Sequence, residues 1–151
     1  MIMRKWMILT VLALLVCVAA QAQPRTWRIT ESGWGRVESS YRQSTLVDPP
    51  LGEMNIPRWR KVSGTLTIDF EKKEVTLSLD RKKDKTFYLL AQHAPAVTRD
   101  GWTYDRYMAM DGNSTVCHFW LGVHESGAQR LLTLYSWTLP DTIYGYRLAE
   151  E

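Results

Sequence analysis

Cysteine is almost missing from this chain: Cys17 and Cys117 are the only two in 151 residues. That count excludes a disulfide framework and the paired C-x-x-C spacing of thiolate metal sites. Histidine is nearly as scarce, with His93, His118 and His124 alone. His118 and His124 stand six residues apart, roughly 20 Å along a strand at ~3.3 Å per residue. There is no H-E-x-x-H run, so no metal site and no cofactor are expected. The nucleophile-elbow pattern G-x-S-x-G is absent too, and no internal repeat or low-complexity tract occurs. Long apolar runs are lacking: the uncharged stretch Trp6–Ala20 has fifteen residues, short of the ~20 a spanning helix needs. No segment keeps an apolar period of 3.6 over three turns, which excludes long amphipathic helices.

What is present begins with an address. Arg4 and Lys5 precede the apolar run, and Ala20-Gln21-Ala22 follows it. This is the layout of a secretory signal peptide cleaved after Ala22, leaving residues 23–151 as one exported domain, periplasmic or extracellular. A lipid anchor on Cys17 is disfavoured because Val16 stands where lipoprotein signals place a small residue. Loss of Arg4 and Lys5 lowers the 19 basic residues to 17, against 16 acidic ones. That balance makes no electrostatic case for nucleic acid, and no stable membrane anchor is expected.

Residues 23–151 read as strands. In "GTLTIDFEKKEVTLSL", Leu66, Ile68 and Phe70 alternate with polar residues, as do Val75, Leu77 and Leu79. Period-two alternation sends each set to one face. A loop over 71–74 pairs Phe70 with Val75, Ile68 with Leu77 and Leu66 with Leu79. "KTFYLLAQ" adds Phe87, Leu89 and Ala91 to the same face. Asp111-Gly112 marks a tight turn, Asn113-Ser114-Thr115 reads as turn chemistry, and a Pro95-containing connection precedes Gly101. A last hairpin sets Val123 by Arg130, Leu121 by Leu132, Phe119 by Leu134 and Cys117 by Ser136. "TWRIT" and "WGRVESSYR" come first, "TIYGYRL" last, and the proline-rich stretch 43–58 is a loop. "RWRK", residues 58–61, reads as a solvated strand start with Trp59 turned inward, or a contact for an anionic glycan. The fold class is therefore all-β: a single antiparallel barrel or sandwich of about eight meander-connected strands, with the barrel favoured.

Trp34 in "SGWGRV" and Arg147 in "YGYRL" resemble the pairing of a first-strand tryptophan with a last-strand arginine in the lipocalin-like calycin superfamily. The resemblance implies a ligand-binding barrel. The chain is also similar to small exported all-β proteins of gut bacteria whose activity is uncharacterised, which implies no chemistry.

Cys117 beside His118 invites a catalytic reading. Adjacent strand residues point to opposite faces, however, so the two cannot act together. Cys117 falls on the Phe119–Leu121 face, where a thiol behaves as a small hydrophobe. The opposite face carries His118, Trp120, Tyr135 and Trp137, too aromatic for a wet sheet surface. Either residues 43–58 or the N-terminal strands cover it, or it forms an aromatic pocket for a small apolar or sugar-like ligand. These four residues are the candidate ligand-binding set, with no catalytic residue assigned. The expected function is non-enzymatic binding of a small molecule, a glycan or a protein partner. The alternative is a small exported hydrolase of unrecognised type, which would need His118 or His93 within reach of an acid in a cleft; paired carboxylates for hydrolysis could be drawn from Asp69, Asp100, Asp105, Glu125 or Asp141.

Overall fold

The computed structural model describes residues 23–36, 56–99, 101–127, 130–136 and 142–150, with the side chains at 93–97, 99, 131–133, 135 and 136 outside that description. The expected signal peptide, Trp137, Asp100, Asp141 and most of the expected 43–58 loop lie outside the described residues. Eight strands follow one another: β1 Arg25–Arg36, β2 Trp59–Asp69, β3 Glu74–Leu79, β4 Lys85–Arg99, β5 Trp102–Met110, β6 Val116–His124, β7 Arg130–Ser136 and β8 Thr142–Glu150. Each pairs antiparallel with the next, and β1 pairs with β8, so the meander closes into a barrel. Closure leaves no unpaired edge.

Alternation then assigns the faces. Trp27, Ile29, Leu66, Ile68, Val75, Phe87, Phe119, Leu134 and Leu148 are buried together inside. Phe87 meets Phe119 edge-on, with ring centroids 4.9 Å apart. Threonines such as Thr65, Thr67 and Thr76 take the outward positions.

The β6–β7 register is the expected one, residue for residue, from Cys117–Ser136 to Val123–Arg130. The β2–β3 hairpin differs by two residues: Ile68 faces Val75 and Leu66 faces Leu77. The cause is Asp69, whose Oδ1 accepts from the Glu71 and Lys72 amides at 3.1 and 2.9 Å. That carboxylate starts the turn one residue early, and Lys73 completes it at φ 55°. The inward face survives because a two-residue slip preserves parity. Phe70 joins the turn and still packs against Tyr107, at 6.1 Å.

Two further corrections concern β4. Its register with β5 slips between Leu89 and Ala91, so Ala91 turns out to the exposed side. The strand also runs on through the Pro95 region, with an irregularity between His93 and Val97 absorbing the extra residues. At the β5–β6 turn, Asp111 Oδ1 accepts from Asn113 N and Thr115 N, each at 2.9 Å. The left-handed residue there is Ser114, at φ 60°, and not Gly112.

Trp59 is not inside the barrel. It pairs with Gly33 on the outward row and packs on Gly145, under the Arg147 guanidinium at 4.3 Å. A Cβ at Gly145 would overlap both Ile56 and the Trp59 ring, so this close approach requires glycine. Arg147 also donates to Glu31 Oε2 at 2.6 Å.

Cys117 is 1% exposed within the core, its sulfur 3.6 Å from the Thr115 carbonyl oxygen. It should react with a thiol reagent only after denaturation. Cys117→Ser should fold but lose ~1–3 kcal/mol, because a hydroxyl is buried where a soft apolar group sat. Denaturant melts and labelling kinetics check both, and fast labelling of the folded protein would refute the burial argument.

Candidate functional site

The barrel interior is packed at one end and open at the other. The packed end holds the β2–β3 and β6–β7 turns, and the open end the β3–β4 and β5–β6 turns. At the open end lies a cavity of about 980 Å³. Its apolar wall is Val62, Leu77 and Leu79, and its aromatic wall is Trp34, Tyr144 and Tyr146.

Strand registers put these side chains together. Ser32 pairs with Tyr146, and Trp34 with Tyr144. Arg60 pairs with Ser32 on the other side. Leu77 stands between Leu66 and Lys85. The inward position of Trp34 depends on a bulge at Thr30, where β1 slips one residue against β8 between Ile29 and Glu31. Ile29 points in and Glu31 points out. Ser32 and Trp34 therefore face the interior, with Trp34 58% exposed at the rim. The same bulge sets Trp34 and Arg147 on opposite faces, so the tryptophan–arginine pair expected from the calycin resemblance does not form. Arg147 stacks on Trp59 instead.

Sequence reasoning did not single out the cavity residues, apart from Trp34 in the calycin resemblance and the glycan contact considered for residues 58–61. Of the aromatic face it did single out, on β6 and β7, His118 and Trp120 point out of the barrel. His118 is 2% exposed and Trp120 1%, and their rings lie 5.9 Å apart. Tyr104, 3% exposed, lies over Gly122, where a Cβ would come within 2.6 Å of its ring. Trp102 stacks on Tyr104 at 6.2 Å. On the neighbouring strands Ile143 is fully buried, and Ile56, at the end of the 43–58 segment, packs on Gly33 and Gly145. His118 and Trp120 are thus brought together, but away from the cavity. The backbone of Tyr135 pairs with His118, while its side chain and all of Trp137 lie outside the described residues.

The remaining candidates are scattered. His124 sits at the opposite end of the barrel, its Nδ1 3.0 Å from Ser126 Oγ. Asp69 caps a turn. Among the described residues, no group of three or more His, Cys, Asp or Glu side chains is placed to hold a metal ion.

Tyr146 is the buried polar group of the cavity. Burial pushes its phenol up to about 12, with Tyr144 adding to the shift. Tyr107, in the packed half, is also pushed up to about 12, by burial first and Asp105 second, against an opposing effect of Arg25. Both hydroxyls therefore stay protonated at neutral pH, and Tyr146 can donate a hydrogen bond into the cavity.

A phenol that ionises near 10 in the unfolded chain binds its proton more tightly in this fold. The stability linked to that proton is fully present below pH ~10. It is lost as pH rises through 12. Ultraviolet titration should show these two phenolates appearing only as the barrel unfolds, and Tyr146→Phe should flatten the alkaline loss of stability. Trp120→Ala should cost ~3–5 kcal/mol, the usual range for a buried large aromatic. A denaturant midpoint close to that of the native protein would show that Trp120 is not part of the core.

No protein-family model, curated protein or solved structure matches the chain. The calycin resemblance accordingly draws no support from relatives.

Proposed function

We propose that the chain is a non-enzymatic binding protein, exported after loss of residues 1–22, that holds one small ligand in the open end of its barrel. The observation that carries this reading is the cavity, which is open to solvent and walled by aromatic and aliphatic side chains. An eight-stranded barrel has an interior that side chains can just fill, or that can hold one small molecule. Here the two options divide the barrel between its ends. Apolar walls joined by polar groups are the usual make-up of a small-molecule pocket, and this one carries basic side chains as well. Trp34, Tyr144 and Tyr146 offer flat faces to an apolar chain or a sugar ring. The hydrolase alternative would need a histidine near a carboxylate in a cleft, and the described lining residues include neither.

Trp34 supplies the test. Saturating the protein with fatty acids, fatty alcohols or oligosaccharides should shift the tryptophan emission in at least one class. Trp34→Ala should remove that response with the β-sheet circular dichroism intact, because Trp34 is at the rim and outside the packed core. Leu79→Trp should block entry. Calorimetry that detects no heat of binding from any of the three classes would sink the proposal.

A further inference from the structure

The inward rows of the barrel change character at the open end. On β2 the row runs Ile68, Leu66, Gly64, Val62 and then Arg60; on β4 it runs Leu89, Phe87 and then Lys85. These cations occupy positions where the same strands otherwise turn apolar or small residues inward. Arg36, Arg58, Lys61, Lys82 and Lys83 also line the cavity, and no acidic residue does among those described. Seven of the chain's 19 basic residues therefore gather round one opening.

Among the described residues, none of the seven forms an ion pair, whereas Arg147 and Arg130 elsewhere are held by Glu31 and Glu150. Seven like charges round a concave, low-dielectric mouth repel one another and focus a positive field on it. A structural role for these cations would call for partnering carboxylates. Asp84, between Lys83 and Lys85 in sequence, is engaged by Ser78 Oγ at 2.8 Å, and Glu31, opposite Lys61, is engaged by Arg147. An extended polyanion needs a basic track along a surface. Here the charges converge over an apolar wall.

We propose that the ligand is an anionic amphiphile: a single carboxylate or comparable oxyanion on an apolar chain, bound tail-first against Val62, Leu77 and Leu79 with its head between Arg60 and Lys85. This rests on the binding reading above and adds the head-group chemistry. Tyr146, protonated and buried beside the same wall, is a further donor near the site.

Calorimetry with dodecanoate, dodecanol and dodecyltrimethylammonium at mildly alkaline pH tests it. Dodecanoate should bind one per barrel, about tenfold or more tighter than dodecanol, with the ammonium weakest. The acid's advantage should shrink as ionic strength approaches ~1 M, where the screening length falls to about 3 Å. Arg60→Gln with Lys85→Gln should bring dodecanoate down to the affinity of dodecanol and leave the alcohol unchanged. Arg60→Glu with Lys85→Glu should reverse the preference toward the ammonium. Both positions are exposed, so these variants should fold, and circular dichroism checks that they do.

Equal binding of acid and alcohol, or a native preference that survives both double variants, would overturn the anionic-head assignment while leaving the carrier reading standing. Acetate binding as tightly as dodecanoate would overturn the role of the apolar wall. No binding of any dodecyl probe would overturn the amphiphile and leave the binding reading to rest on the oligosaccharides alone.

Discussion

The pairing of β1 with β8 is the constraint on which the rest of the structure depends. It closes the sheet, and in closing it must reconcile two registers. Ile29 opposite Leu148 belongs to the core; Glu31 opposite Arg147 belongs to the outside. A regular strand cannot send residues 29 and 31 to different faces. The bulge at Thr30 resolves the conflict by one extra residue. Everything beyond it is inverted: Ser32 and Trp34 turn inward, Gly33 turns outward. The aromatic wall of the cavity and the glycine-floored seat for Ile56 and Trp59 are two results of that single inserted residue.

The outside of the barrel is not uniform either. Along β2 and β3 it is threonine and serine, as a wet face should be. Along β5 and β6 it is a second apolar layer of Tyr104, Trp120 and the partly buried Trp102, with His118 beside it. The molecule therefore buries aromatic rings on both sides of the same sheet. Trp120 gains its burial outside the barrel, while Phe119, its neighbour in sequence, gains it inside.

How much of this was legible in the sequence depends on where the information resides. The β6–β7 register was readable because alternation over nine residues and a short turn leave one solution that buries Cys117, Phe119 and Leu121 together. The β2–β3 register was missed by two because the alternation is degenerate to such a slip, and the tie is broken by one side chain, Asp69, reaching back to two amides. The face of Ala91 was missed because nothing in "YLLAQ" announces the slip near Leu90. The abnormal outer face of β6 was visible as an excess of aromatics, though the sequence could not separate coverage from an open pocket. The cavity was harder still. "RWRK" and "RKKDK" each look like ordinary solvated termini when read alone. Only the antiparallel order of β2, β3 and β4 brings the start of β2 and the β3–β4 turn to the same end.

The division of the barrel into a filled half and an open half separates two kinds of selection. Substitutions at Leu66, Phe119 or Leu134 act on whether the chain folds. Substitutions at Trp34, Arg60 or Lys85 act on side chains that the packed half does not need. The open end can therefore be retuned in charge and shape, by drift or by design, without reopening the folding problem, and a family of such chains could diverge widely at this rim while keeping one interior.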